Sequence, residues 1–225
     1  MIVMNEFIDV FTNTDPESVS NSVQLLLLLT VFSLAPGLLI LMTSFTRVVI
    51  VLSFTRTSLA TQQMPPNQIL IALALFMTFF IMAPTFQEIN EQALTPLLDE
   101  EITIDEAYER ASTPIKYFMS DHTRHKDLNL FLNYVDHEPI EEIEDIPLTA
   151  LVPAFAISEL KTAFTMGFMI FIPFLVIDMT VASVLMSMGM MMLPPVMISL
   201  PFKVLLFVLV DGWYLISEAL LSSFS

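Results

Sequence analysis

Hydrophobic positions gather into long stretches that charge does not enter. From Ser18 to Thr46 no residue is charged, and Val23 to Phe45, with its run Leu25–Leu29, is apolar almost throughout. As a helix that element extends roughly 35 Å, enough for a hydrocarbon core of about 30 Å. A second gap runs from Thr57 to Gln87. Its dense part, Ile69 to Phe86, makes about 27 Å of helix. A third and a fourth apolar element lie between Ala163 and Leu215, interrupted by Asp178, Lys203 and Asp211. Between them runs a methionine-rich turn that ends in Pro194-Pro195. The pattern predicts an all-α chain, polytopic and membrane-type, with kinked helical hairpins.

The polar residues collect elsewhere. Between Glu88 and Asp145 lie 16 of the 24 acids but only 4 of the 8 bases, together with His122, His125 and His137. This reads as a water-facing insert, helical over Glu100–Ser112 and Pro114–Leu132, with Glu138–Asp145 as a solvated loop. Four regions follow: an acidic arm (1–22), the first two apolar segments with their Arg47/Arg56 connection (23–86), the acidic insert (87–150) and a C-terminal hairpin with the methionine turn (151–225).

Composition narrows the class. Of 225 residues, 55% are hydrophobic and 14% charged, against about 25% charged in soluble chains. A net charge of −16 excludes the basic surface that nucleic acid requires. Without cysteine there is no disulfide framework or thiolate metal site. The glycines, Gly37, Gly167, Gly189 and Gly212, cannot make a P-loop, a dinucleotide fingerprint or a GxxxG face.

Arg47 and Arg56 share their segment with no acid, whereas the arm (Glu6, Asp9, Asp15, Glu17) and the insert are acidic. The positive-inside rule therefore puts the 47–68 connection in the cytoplasm and both acidic parts outside. The N-terminus lacks the basic and short apolar regions of a removed signal peptide.

Pro36, Pro84 and Pro173 fall inside apolar elements, where each frees a backbone carbonyl that neighbours or water must satisfy. Ordinary kinks and a bundle of broken helices both fit. Ser44-Phe-Thr-Arg47 recurs as Ser53-Phe-Thr-Arg56, half a turn out of phase on a helix. If buried, each arginine needs an acid or backbone carbonyls. The preferred reading makes both snorkelling anchors at a helix end.

With the hairpin turn placed at Met191, Asp178 and Lys203 fall at nearly the same depth, and a direct pair is the economical arrangement. The alternative is that they face different neighbours in an oligomer. Asp211 lies too far along the axis to share Lys203, so it predicts a subunit contact or an aqueous path. Met186, Met188, Met190, Met191, Met192 and Met197 crowd the turn. Methionine repacks around varied shapes, so copies of this turn could form a deformable seal. From composition alone, a turn buried in lipid or core is the plainer reading.

No catalytic pattern is present: no GxSxG, no HExxH and no cysteine nucleophile. His122 and His125 could offer a metal two imidazoles, but nothing fixes a third ligand, and a solvated helix reads better. Ser158-Glu159-Leu160-Lys161, after Pro153, resembles a helix start; Glu159 and Lys161 join Arg47, Arg56, Asp178, Lys203 and Asp211 as charges in apolar surroundings available for pairing or assembly. No enzyme and no cofactor is expected.

Several blocks together resemble the FliP family of flagellar export-gate proteins. They are Asn13–Ser20, Leu34-Ala-Pro-Gly37, Met42-Thr-Ser-Phe-Thr-Arg47, Gln62-Gln-Met-Pro-Pro-Asn-Gln68, Phe79–Pro84, Pro153–Lys161, Met186–Phe202 and Phe207–Trp213. The resemblance covers nearly the whole chain. It implies a pore-forming subunit of the type III export apparatus in the bacterial cytoplasmic membrane, at the flagellar basal body. Relatives serve injectisomes. Copies of the chain, in a pentamer-like ring, would join FliQ and FliR, with FlhB and FlhA alongside, and pass unfolded proteins. It also implies that Met186, Met188, Met190, Met191 and Met192 form the seal, and that the assembled gate sits largely on the outer side of the membrane. An ion-conducting channel or transporter subunit (on Asp178, Lys203 and Asp211) and a passive scaffold that docks a partner on its insert are the competing expectations.

Overall fold

The computed structural model describes residues 16–61, 64–135, 142–190 and 192–224. The acidic residues before 16, Gln62, Gln63, His137 and Met191 lie outside the described residues, as does part of the 138–145 acid run. No strand occurs among the described residues. The chain divides into two compact units, one ending at Ile40 and the other running from Leu41 to Ser225. The first holds most of helix α1 (Pro16–Met42), which runs through Pro36 and exposes Val23, Leu26, Leu29 and Phe32.

The second unit is built on α2 (Phe45–Ser58), α3 (Asn67–Ile89) and α7 (Leu148–Ser187). In α2, Val48, Val51, Leu52 and Thr55 recur at helical spacing and are buried without residual exposure. They pack with Leu70, Ala74 and Met77 of α3 and with Ala163 and Phe174 of α7. At the α2–α7 crossing the helices meet over Gly167, where a β-carbon would lie 2.5 Å from the Phe54 ring. A π-turn (Asn90–Leu94) and the short α4 (Thr95–Leu98) continue α3, so that Asn67–Leu98 and Leu148–Ser187 are each long and apolar enough to cross a membrane. Counting each bent pair of shorter helices as one span raises the number among the described residues to as many as four.

Four expectations need correcting. Pro114 does not divide the insert: α5 (Ile104–His122) runs through it, and the break falls at Thr123–Arg124, before α6 (His125–Leu132). A capping box between Thr103 and Glu106 sets the start of α5, and the Glu106 carboxyl is held below its usual range by the Thr103 backbone N–H and then the hydroxyl. Because the break lies between them, His122 and His125 do not share one helix. Ser158–Lys161 is no helix start. It lies in mid-α7, which begins at Leu148 and passes through both Pro153 and Pro173. Finally, Asp211 is not inside a helix: it sits at φ 50°, ψ 56°, between α8 (Pro195–Leu209) and α9 (Gly212–Ser222), which are bent 62° apart.

Candidate functional site: two buried charge pairs and a methionine turn

The nine-residue spacing in α2 sends its two arginines different ways. Arg47 points inward, 3% exposed, and meets Glu159, which is wholly buried on α7. One edge of the guanidinium grips both carboxylate oxygens: Nε donates to Oε2 at 2.8 Å and Nη2 to Oε1. Nη1 donates to the Ser223 carbonyl at 2.8 Å and to its hydroxyl at 2.9 Å. The guanidinium carbon also stands 3.8 Å from the Phe224 ring centroid, a cation–π contact. Phe224 stacks on Phe118 and packs at a tilt against His122, both of the insert. His122 Nδ1 lies 2.8 Å from the Phe118 carbonyl, which can only accept, so Nδ1 carries the proton. One arginine thus joins α2, α7 and the chain's last residues, and the anchor reading does not hold for it.

The second pair closes the C-terminal hairpin. Lys203 of α8, 2% exposed, donates to Asp178 Oδ2 at 2.6 Å and to the Ser58 carbonyl at 3.1 Å. Ser199 donates to Asp178 Oδ1 at 2.5 Å, so both carboxylate oxygens are engaged. The Ser58 carbonyl is one of those left open at the end of α2, where a cation is favoured by the helix dipole. Asp178 and Lys203 face each other within one chain, at matching distances from the turn.

A third polar contact ties the insert to α7. The Ser158 hydroxyl donates to Asp127 Oδ2 at 2.6 Å and accepts the Arg124 backbone N–H at 3.1 Å, while Arg124 pairs with Asp127 at 2.5 Å. The Asp127 carboxyl is held below the usual aspartate range, foremost by the Ser158 hydroxyl, with burial opposing and Arg124 and Lys161 assisting. Lys161 itself is exposed. Arg56 is half-buried and donates to Asn67 and the Pro65 carbonyl, across the α2–α3 connection. Asp211 is exposed at its bend, and among the described residues no side chain bonds its carboxylate.

The methionine turn has a defined backbone. Gly189, at φ +76°, ends α7 in a Schellman arrangement: Met190 N–H donates to the Leu185 carbonyl and Gly189 N–H to the Met186 carbonyl, both at 3.0 Å. Met186, Met188, Met190 and Met192 all project outward, Met192 98% exposed. A turn buried in this chain's own core is therefore excluded for the described methionines. Among the described residues no cluster of histidine and acid could hold a metal ion.

The sequence profile of the FliP family matches residues 28–220. The chain belongs to the FliP family. It is 75% identical over 221 residues to the flagellar biosynthetic protein FliP of Bacillus subtilis, covering 98% of this chain and all of that one. The FliP proteins of Caulobacter vibrioides (54% identical; 90% of this chain, 76% of the relative) and Aquifex aeolicus (50%; 91% and 86%) are similar over most of their length. As a family member the chain is a flagellar biosynthetic protein with membrane-type helices. Its two charge pairs are contacts within the one chain. Sequence reasoning missed Ser58, Ser199 and Ser223 as partners of those charges, and Phe224 beneath Arg47. A lone serine carries no signal of that kind.

Proposed function

We propose that this FliP-family chain is a pore-forming subunit of the flagellar type III export gate in the cytoplasmic membrane, with its acidic insert on the outer side. Several copies, with FliQ and FliR and with FlhB and FlhA alongside, would pass unfolded flagellar proteins. The observation that carries the flagellar assignment is the 75% identity to a flagellar FliP over the full length of both chains. The seal is assigned to the methionine turn. Four flexible thioethers at a glycine-capped hairpin tip are exposed in the single chain, and a ring of such tips would close on itself and yield to a passing polypeptide. An ion pathway is less well supported: Asp178 and Lys203 neutralise each other, which leaves Asp211 as the lone candidate carrier among those three.

Flagellin in the culture medium of a strain lacking the gene tests the export role. Secreted flagellin should vanish while cytoplasmic synthesis continues, and a plasmid copy should restore it; normal secretion would sink the flagellar reading. Deleting Met188–Met192 tests the seal. Cells assembling that gate should leak small solutes, and a tight membrane with normal export would remove the turn from the gate.

A further inference from the structure

Arg56 is the charge that the packing leaves over. Arg47 meets Glu159 and Lys203 meets Asp178, so each deep cation of the apolar bundle has its own carboxylate. Arg56, in the last turn of α2, reaches only neutral acceptors, Asn67 Oδ1 and the Pro65 carbonyl. Among the described residues it forms no ion pair. A half-buried cation without a carboxylate is open to an anion from outside the chain.

Beside Arg56 opens a cavity of about 440 Å³, bordered by Lys203, Asp178, Phe171 and Val196. Asp178 does not supply the missing charge: its oxygens are taken by Ser199 and Lys203, and it cancels the lysine. The cavity therefore carries one net positive charge. Besides Arg56, Lys203 and Asp178, the lining holds the polar Thr57 and Thr61 and the apolar Phe171 and Val196. Next to Phe171 on the surface of α7, Phe168, Ile172 and Leu175 form an exposed apolar stripe. Asn67, bonded to Arg56, is the first residue of a helix long and apolar enough to cross a bilayer, and the ends of such spans meet the headgroup region.

We propose that the cavity at Arg56 binds the headgroup of an anionic phospholipid, its phosphate on the Arg56 guanidinium beside Lys203 and an acyl chain along the Phe168–Leu175 stripe. A zwitterionic lipid brings its own cation to the phosphate and gains less. The proposal rests on the membrane-type helices and is separate from the export reading.

The test is lipid binding to the purified full-length chain in detergent, followed by native mass spectrometry. Dioleoylphosphatidylglycerol, dioleoylphosphatidylcholine and inorganic phosphate are the probes. The wild type should bind phosphatidylglycerol in preference to phosphatidylcholine. Arg56→Gln should weaken phosphatidylglycerol roughly five- to tenfold, the scale of one basic contact at an anionic surface, and weaken phosphatidylcholine distinctly less. Lys161→Gln, which removes an exposed cation of α7, should change neither. Arg56→Lys keeps the charge and should retain most of the preference, which keeps the test decisive if the glutamine variant fails to fold. Equal binding of the two lipids by wild type, an unchanged Arg56→Gln, or an equal loss in Lys161→Gln would each overturn the site. Inorganic phosphate that binds as tightly as phosphatidylglycerol would overturn the lipid in favour of a free phosphate.

Discussion

Replacing Glu159 by alanine would leave Arg47 charged and buried with its carboxylate gone. Removing one partner of a buried ion pair costs about 3–5 kcal/mol, because the survivor stays desolvated without compensation. Arg47 would keep its two bonds to Ser223 and its place over Phe224, which sets the expectation near the lower end of that range. Glu159→Gln retains one acceptor for the guanidinium and should cost less than alanine, by roughly the 1.5–3 kcal/mol of a hydrogen bond to a charged group. Arg47→Met combined with Glu159→Leu removes both charges and should fall well short of the sum of the two single costs. Equilibrium unfolding of the detergent-solubilised chain, followed by far-UV circular dichroism as a denaturing detergent is titrated in, measures these variants and the two single variants of the cycle. A loss under about 1 kcal/mol for Glu159→Ala would refute the claim that the pair is buried and coupled. Strict additivity in the cycle would do so as well.

Gly167→Ala would put a β-carbon 2.5 Å from Phe54 Cγ, so the α2–α7 crossing must open at a cost of about 1–3 kcal/mol. Phe54→Leu in the same chain should recover part of it, and a neutral Gly167→Ala in the unfolding assay would disprove the close approach. Asp127 has a depressed carboxyl in the folded state, so its contribution is complete above the unfolded value of about 3.9 and is lost as pH falls through the lower folded value. Hydrogen-exchange protection of α6 should therefore weaken only below about pH 4; Asp127→Asn should remove that acid step, and identical acid profiles for the two proteins would contradict it. Asp211→Asn alters an exposed, unbonded carboxylate and should change stability by no more than about 0.5 kcal/mol. A larger loss would mean that the carboxylate is held within the chain; loss of flagellin secretion at unchanged stability would assign it to a contact with another molecule.

What could be read from the sequence follows the range over which each cause acts. Charge-free runs locate α1 and α3 because desolvation operates residue by residue along a helix, whereas α2, with its two arginines, reads as a connection. Counting from the turn aligned Asp178 with Lys203 because both belong to one hairpin with a short, glycine-ended connection. Arg47 is different. An arginine at the start of a helix near a presumed membrane edge looks like an anchor, and its acid stands 112 residues away on another element. Ser158–Lys161 misleads for a related reason: polar residues after a proline mimic a helix start, although in mid-helix Ser158 and Glu159 face buried partners. The bend at Asp211 did have a local cue, since Asp-Gly is a turn dipeptide, but the apolar run around it argued for one continuous helix. The exposure of the methionine turn depends on what the neighbouring helices leave uncovered, and no local pattern encodes that.

The Arg47 contacts also impose a schedule on synthesis. The arginine leaves the ribosome 112 residues ahead of Glu159 and 176 ahead of Ser223. At about 5–20 residues per second, the wait for Glu159 alone is roughly 6–22 s. Throughout that interval α2 carries a cation that its final packing cannot yet neutralise, so the early hairpin cannot settle into its dry position. It must be held where charge is tolerated, at a wet interface or by an insertion factor, until α7 arrives. An element made early is then locked late, once Ser223 has followed α7.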